Sequence, residues 1–144
     1  MEKFNNINDV LSFQGHRIIT KRVEPYDVIE SVKKYYNVTD YTFNGRNKFE
    51  IMEEFLNALR NSPKSSKSFG LYMKNVNKFY LAEIKDNKIN ATSIELLHSL
   101  LISNEYGIDE ISQIEQEGII YSTDKDYAIE CIDMGKAEAS FIIL

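Results

Sequence analysis

The sequence predicts a single α+β domain, in which about four helices pack on a mixed sheet with a central β-hairpin. Three observations favour this class. The chain has 144 residues, the length of one domain. Its residues are 43% apolar and 27% charged, as in ordinary globular proteins. Segments in which apolar residues alternate with polar ones are interleaved with segments of helical period. We therefore treat residues 1–144 as one domain.

The N-terminal third predicts a strand, a helix and a second extended segment. β-branched residues dominate 16–23, which predicts a strand that Glu24-Pro25 closes. Pro25 suits the first turn of a helix, because its missing N–H would have no partner there. The apolar positions that follow lie on one helical face: Val28, Ile29, Val32 and Tyr35 or Tyr36. Residues 38–43 should then be extended.

A second helix is predicted from Asn47, with Glu50 three residues further on, as in a capping box. A polar loop over 61–68 separates this helix from a β-hairpin. The hairpin pairs 68–74 with 78–85 around Asn75-Val76-Asn77. Because both faces of the hairpin carry apolar residues, we expect it to lie centrally in the sheet or to be covered.

A third capped helix starts at Thr92, with Glu95 completing a capping box, and Gly107 is well placed to end it. The remainder predicts a strand over 118–122, a helix over 124–134 and a final strand over 138–144.

Thr123 is the predicted cap of the 124–134 helix, and Gly135 its end. The last four residues, 141–144, are all apolar, whereas natural C-termini usually fray in polar residues. We therefore expect the chain to be a fragment of a longer protein.

Composition excludes several classes of function. The apolar runs are too short to span a membrane, and the N-terminus shows no secretory leader, so we expect no membrane partner. Cys131 is the only cysteine, so no internal disulfide can form, and a cytoplasmic location fits best. Residues 89–144 carry 2 Lys and Arg against 11 Asp and Glu, which would repel the phosphate backbone of a nucleic acid.

Known chemical motifs are missing from the sequence. The six glycines stand singly, so no phosphate-binding loop of the GxGxxG or GxxxxGK[ST] type can be written. HExxH and GxSxG are also absent. Two histidines and one cysteine cannot build a His/Cys metal cage, and Cys131 reads as a small buried core residue. We expect no metal and no cofactor.

One pair of residues is a candidate site. His16 and Arg17 stand side by side at the start of the first strand. Arginine could hold a phosphate or carboxylate with two hydrogen bonds, and histidine could add a proton or a further hydrogen bond. Neighbouring residues on a strand point to opposite faces, however, which opposes joint action on one ligand.

The order of features resembles the C-terminal half of an uncharacterised family of conserved bacterial and archaeal proteins. Residues 4–11 followed by His16-Arg17-Ile18-Ile19 are similar to the family's Asn-Met-Asp-Asp run and its PTHR motif, although Gln14-Gly15 replaces Pro-Thr. Residues 69–72 with 79–81 resemble its paired strands. Residues 133–141 resemble the helix-to-strand junction before its tail.

The resemblance implies that two hallmark motifs lie outside this chain, a DGHHR before residue 1 and a KSTYFYPK after residue 144. DGHHR looks like the phosphate-handling box of ParB-like and sulfiredoxin-like nucleotide enzymes. The resemblance therefore implies a small phosphorylated ligand, with His16 and Arg17 facing it from this chain.

Three functions follow in order of preference. The first is an accessory domain of a larger cytoplasmic protein, without a self-sufficient active site, whose partner is the remainder of that protein. The second is half of a nucleotide- or phosphate-binding site of a small-molecule enzyme. The third is a protein-interaction or self-assembly module, for which a homo-oligomer is one form.

Overall fold

The computed structural model describes residues 2–144, in which six strands form one sheet in the order β2-β4-β3-β6-β1-β5. In this sheet β2 and β5 are the edges, and β6, the last strand in sequence, lies between β3 and β1. The strands are β1 (His16–Ile19), β2 (Tyr36–Thr42), β3 (Phe69–Met73), β4 (Lys78–Ile84), β5 (Ile119–Ser122) and β6 (Ala139–Ile142).

The helices connect these strands. A short 3₁₀ turn, Lys64–Ser66, precedes β3, and α4 continues directly into a π-helix at Leu97–Ser103. The α-helices are α1 (Ile7–Ser12), α2 (Pro25–Tyr35), α3 (Lys48–Arg60), α4 (Ser93–Leu96), α5 (Glu110–Glu115) and α6 (Lys125–Asp133).

The predicted α+β class is confirmed, but the sheet is antiparallel throughout rather than mixed. β5 and β6, which α6 connects, do run parallel to each other, but β1 is inserted between them and pairs antiparallel with both. The chain therefore crosses from β5 through α6 to a strand of the same direction, but no two adjacent strands of the sheet are parallel.

The β3–β4 hairpin is central, as its two apolar faces predict, because β2 pairs on one side of it and β6 on the other. Side chains alternate between two cores. Phe69, Leu71 and Met73 of β3 belong to one core, while Tyr72 belongs to the other. Self-assembly through a free edge of this hairpin is therefore excluded.

Helices cover both faces of the sheet. α2, α4 and the π-helix contribute to one core, which also holds the buried residues Val10 and Ile108. α3 and α6 contribute Phe55, Leu56 and Ile129 to the core on the opposite face. The sheet is therefore the middle layer of three, which explains why its interior strands are apolar on both sides.

Two short helices were not predicted, and one was predicted in a simpler form. α1 and α5 have six residues each, too short for a reliable periodic pattern. The predicted helix from Thr92 forms, but from Leu97 onward it adopts π geometry.

Cys131 is buried, as predicted.

Helix caps were predicted with mixed success. The capping box of Thr92 and Glu95 is confirmed. At α3, Asn47 makes no cap to its own helix, because its side-chain oxygen instead accepts a hydrogen bond from the backbone N–H of Asn44. For α6 the cap is Asp124 rather than Thr123, and its carboxylate accepts from two backbone N–H groups.

No helix within residues 2–144 is long and apolar enough to cross a membrane.

Gly70 lies where α3 packs closely on the sheet. A Cβ atom added at this position would lie 2.3 Å from the ring of Phe55 on α3. Phe55 is fully buried and stacks on Phe79 at 5.1 Å between ring centroids. The missing side chain of Gly70 thus leaves the space that this ring fills.

We expect Gly70→Ala to lower the free energy of unfolding by about 1–3 kcal/mol, since a tightly packed ring would have to shift. Chemical denaturation followed by circular dichroism measures the loss. Gly45→Ala is the matched control, because a Cβ there meets no atom within 4 Å. Equal stability of the two variants would contradict this account of the packing.

Candidate functional site

Arg17 lies at the centre of a buried polar cluster beneath α1. Its side chain is fully buried, and its guanidinium donates to three backbone carbonyls, those of Val10 at 2.8 Å, Phe13 at 2.8 Å and Gly15 at 2.6 Å. Val10 and Phe13 belong to the C-terminal end of α1, where carbonyls are short of helical partners. The carbonyl of Val10 also accepts from the backbone N–H of Phe13 at 3.2 Å. Arg17 therefore caps this helix and ties it to the sheet.

The fourth partner of Arg17 comes from the π-helix. The Nε–H of Arg17 donates to His98 Nε2 at 3.0 Å. Because Nε2 accepts, the proton of the neutral imidazole lies on Nδ1, and it donates to Gln113 Oε1 at 2.8 Å. Gln113, which is almost fully buried in α5, donates in turn to Ser103 Oγ and to the carbonyl of Ile108. The cluster thus joins β1, the π-helix and α5.

The charge of Arg17 is stabilised without an acid. Within residues 2–144 no carboxylate forms an ion pair with it. Carbonyl dipoles and the rings of Phe13 and Tyr121, at 5.6 and 5.3 Å from the guanidinium carbon, take that role. Burial lowers the pKa of Arg17 to about 10, so the side chain remains protonated at neutral pH.

His98 responds to the same surroundings. Burial, and secondarily the positive charge of Arg17, lowers its pKa to about 4. The imidazole is therefore neutral at physiological pH, which its two hydrogen bonds require, since an imidazolium cannot accept from Arg17.

His16 lies on the opposite face of β1. Its side chain is buried, and its Nδ1 accepts a hydrogen bond from the backbone N–H of Ile143 at 3.1 Å. Burial, followed by the charge of Arg17, lowers the pKa of this histidine. The neutral ring thereby fixes the residue that follows β6.

The structure thus does not bring the two predicted site residues together. Arg17 faces α1 and the π-helix, whereas His16 faces the side of α6, as neighbours on a strand must. Their shared role in holding a phosphate stays a prediction, and it would require the donors of Arg17 to leave α1.

The free edge of β5 carries an apolar groove of about 450 Å³. Its lining includes the consecutive residues Ile120, Tyr121 and Ser122, whose side chains alternate between the two faces of the sheet. A groove that contacts all three must run along the strand edge. Gln116 borders it on one side, and Tyr127, whose surface is 42% exposed, forms a wall on the other.

The backbone of β5 offers hydrogen bonds to this groove. The N–H of Thr20 donates to the carbonyl of Gly118 at 2.9 Å, so these two residues are a hydrogen-bonded pair in the ladder between β1 and β5. In an antiparallel ladder bonded and non-bonded pairs alternate, so Ile119 and Tyr121 direct their N–H and C=O groups outward.

Acidic residues line the groove or lie close to it in sequence. Glu117 precedes β5, Asp124 lines the groove, and Asp126 follows in the first turn of α6. Lys125 is the one nearby base in this segment, and it lies 4.0 Å from Asp126. Residues 117–126 therefore carry three carboxylates against one lysine.

A second polar cluster joins α3, α6 and β3. Lys48 Nζ lies 2.5 Å from Asp133 Oδ1, and the hydroxyl of Tyr72 donates to the same oxygen. Burial raises the pKa of Tyr72, with the bond to Asp133 adding to the effect, so the phenol stays protonated as a donor. This cluster ties two helices to the sheet.

Shallow depressions of about 320 and 440 Å³ adjoin at the end of the sheet where β1 leaves and β6 begins. Several charged side chains there are paired with protein groups. Lys21 donates to the carbonyl of Tyr106 at 2.7 Å, and Lys74 pairs with Glu138 at 3.3 Å. Over residues 2–144, no group of three or more His, Cys, Asp or Glu side chains is placed to hold a metal ion.

Reasoning from sequence missed the β5 groove and the buried cluster of Arg17. One signal for the groove was available, because Ile119 and Ile120 are adjacent apolar residues in a short strand flanked by acids. No local signal reports the burial of Arg17, since its partners come from α1 and from His98, 81 residues further along the chain.

Comparison with known proteins adds no relative: no family model, no curated protein and no solved structure matches the chain. The resemblance to the DGHHR family stays a prediction. The fold and the groove together define a class, a three-layer α+β domain with an antiparallel sheet whose edges are open.

We expect Arg17→Met to lower the free energy of unfolding by about 3–5 kcal/mol, because His98 and three carbonyls lose their donor in the core. Arg17→Lys should recover part of this loss, since it keeps the charge but not the planar fork. Urea denaturation measures both. Arg22→Met, at a side chain that is 84% exposed, is the control and should cost less than about 0.5 kcal/mol.

Acid should destabilise the fold through His98. Its pKa is lower in the folded chain than the unfolded value of 6.5, so its contribution is complete above pH 6.5 and is lost as the pH falls toward 4. The loss amounts to about 3 kcal/mol. Unfolding free energies measured from pH 7 to pH 4.5 should therefore decline.

His98→Gln is the test variant, because a glutamine can still accept from Arg17 but does not titrate. Its stability should decline less steeply with acid than that of the natural chain. His16→Asn removes the smaller contribution of the other histidine in the same way. An identical decline in the natural chain and in His98→Gln would exclude His98 as the cause.

Proposed function

We propose that this chain is an accessory interaction domain of a larger cytoplasmic protein, and that it binds an extended, basic segment of a partner protein along β5. The groove on the free edge of this strand carries the proposal. The single buried cysteine supports the cytoplasmic setting. The resemblance to a family with two further motifs supports the larger parent.

Main-chain pairing would supply the affinity. An extended segment placed beside β5 meets the outward N–H and C=O groups of Ile119 and Tyr121, as a strand added to a sheet edge does. Alternate side chains of that segment would enter the groove against Ile120 and Tyr127. The remaining side chains would point toward solvent.

Charge selects the partner. A segment with Lys or Arg among its outward positions would face Glu117, Asp124 and Asp126, which speeds association and excludes acidic segments. The same charges oppose pairing of β5 with β5 of a second copy, because antiparallel pairing would bring Glu117 of one copy near Asp124 of the other. A basic partner from another chain or from the parent protein fits better.

The proposal is tested by selecting binders from a random library of eight-residue peptides displayed on phage. Selected peptides should alternate apolar residues with other positions and should be enriched in Lys and Arg. Enrichment of acidic peptides, or no enrichment, would contradict the proposal.

The selected peptide should then bind Tyr127→Ala at least about fivefold more weakly than the natural chain, because the aromatic wall of the groove is lost. Fluorescence polarisation of the labelled peptide measures the affinity. Tyr26→Ala is the matched control, since Tyr26 is also an exposed helix tyrosine, 73% exposed on α2, away from the groove. Equal weakening in both variants would place the binding site elsewhere.

A further inference from the structure

The opposite edge of the sheet, strand β2, is long and lacks the devices that protect free strand edges. It has seven residues, Tyr36–Thr42, of which five are β-branched or aromatic, the types that favour strands. Its pairing with β4 runs through consecutive residues without a bulge. It contains no Lys, Pro or Gly, which usually prevent the association of exposed edges.

The hydrogen-bond phase of β2 shows which groups face outward. At the two ends of the ladder, Lys85 N–H donates to the carbonyl of Tyr35 at 2.9 Å, and Phe43 N–H donates to that of Asn77 at 3.0 Å. Odd-numbered residues of β2 are therefore bonded to β4. The even-numbered residues Val38, Asp40 and Thr42 therefore direct their N–H and C=O groups away from the sheet. Tyr36 directs only its C=O outward, because its N–H donates to the carbonyl of Val32 at the end of α2.

Charge on this edge is neutralised. Asp40 is the one ionisable side chain in β2 apart from its tyrosines, and Lys78 of β4 lies 3.1 Å from its carboxylate. Asn37, Thr39 and Thr42 are exposed and uncharged. Two such edges can approach each other without the repulsion that separates two β5 edges.

We propose that β2 pairs antiparallel with β2 of a second copy of this chain, with Thr39 on the two-fold axis. In this register Val38 of each copy exchanges both backbone hydrogen bonds with Asp40 of the other. The C=O of Tyr36 accepts from the N–H of Thr42, while the N–H of Tyr36 stays bonded to Val32. Thr39 meets its own symmetry mate as a non-bonded pair, where side chains lie close and threonines pair well. The two sheets become one continuous sheet.

Alternative registers fit less well. A two-fold axis at Asp40 places the two carboxylates directly opposite each other, which is unfavourable. An axis at Val38 leaves Thr42 without a partner. The register centred on Thr39 uses the whole strand and keeps the two Asp40 residues apart. The dimer uses the edge opposite to β5 and is not part of the proposed function. Dimerisation at β2 and peptide binding at β5 can therefore each fail without the other.

Sedimentation velocity of the full chain over a range of concentrations tests the dimer. The natural chain should pass from monomer to dimer as its concentration rises. Asp40→Pro should remain monomeric, because the ring removes an outward N–H while the ladder to β4, which does not use that group, is kept. Asp40→Asn is the control; it loses the ion pair but keeps the N–H, and it should still dimerise.

A second pair of variants avoids dependence on proline. Thr39→Lys places two ammonium groups together on the axis and should weaken the dimer at least about fivefold, with part of the loss recovered in high salt. Thr39→Val keeps a β-branched residue and should leave the dimer intact. A natural chain that stays monomeric throughout, or a dimer that survives both Asp40→Pro and Thr39→Lys, would overturn the proposal.

Discussion

The burial of Arg17 is the constraint on which the N-terminal part and the adjoining helices depend. A charged side chain in a core is costly unless every donor finds an acceptor. Here the acceptors are carbonyls at the end of α1 and the imidazole of His98. α1 must therefore end where it does, and the π-helix must hold His98 within hydrogen-bond distance of Arg17. A single cation thus fixes two segments, α1 and the π-helix, relative to β1.

The π-helix supplies one side of this arrangement. It begins at Leu97, and its buried residues are Leu97, His98, Leu101 and Ile102. Because residues at i, i+3 and i+4 of a helix share one face, His98 lies on the face that packs in the core. Gln113 then orients the imidazole from α5. In this network each side-chain nitrogen of Arg17, His98 and Gln113 has a hydrogen-bond partner. Such a network favours one arrangement of the helices, because an alternative would leave a buried group unpaired.

Much of the fold was predictable because its signals are local. Alternation in 68–85 predicted the central hairpin, and Thr92 with Glu95 predicted a helix start from their spacing alone. The sites depend on distant contacts instead. Nothing near Arg17 in sequence shows that α1 and His98 will enclose it, and its position beside His16 suggested a shared ligand that the alternation of strand side chains opposes. The cap at Asp124 and the separation of β5 from β6 likewise depend on how the chain packs.

The two edges of the sheet differ in length and in charge, and this difference suits each edge to a different kind of partner. β5 is short, bordered by carboxylates and lined by an apolar groove, so its features favour an unlike, basic partner. β2 is longer, and its one carboxylate is neutralised by Lys78, so its features favour a like partner. Because the interior strands lie between helix layers, exposed side chains on either edge can be changed while the core is left intact. The association that we propose at the edges and the stability of the core are therefore separable properties of this chain.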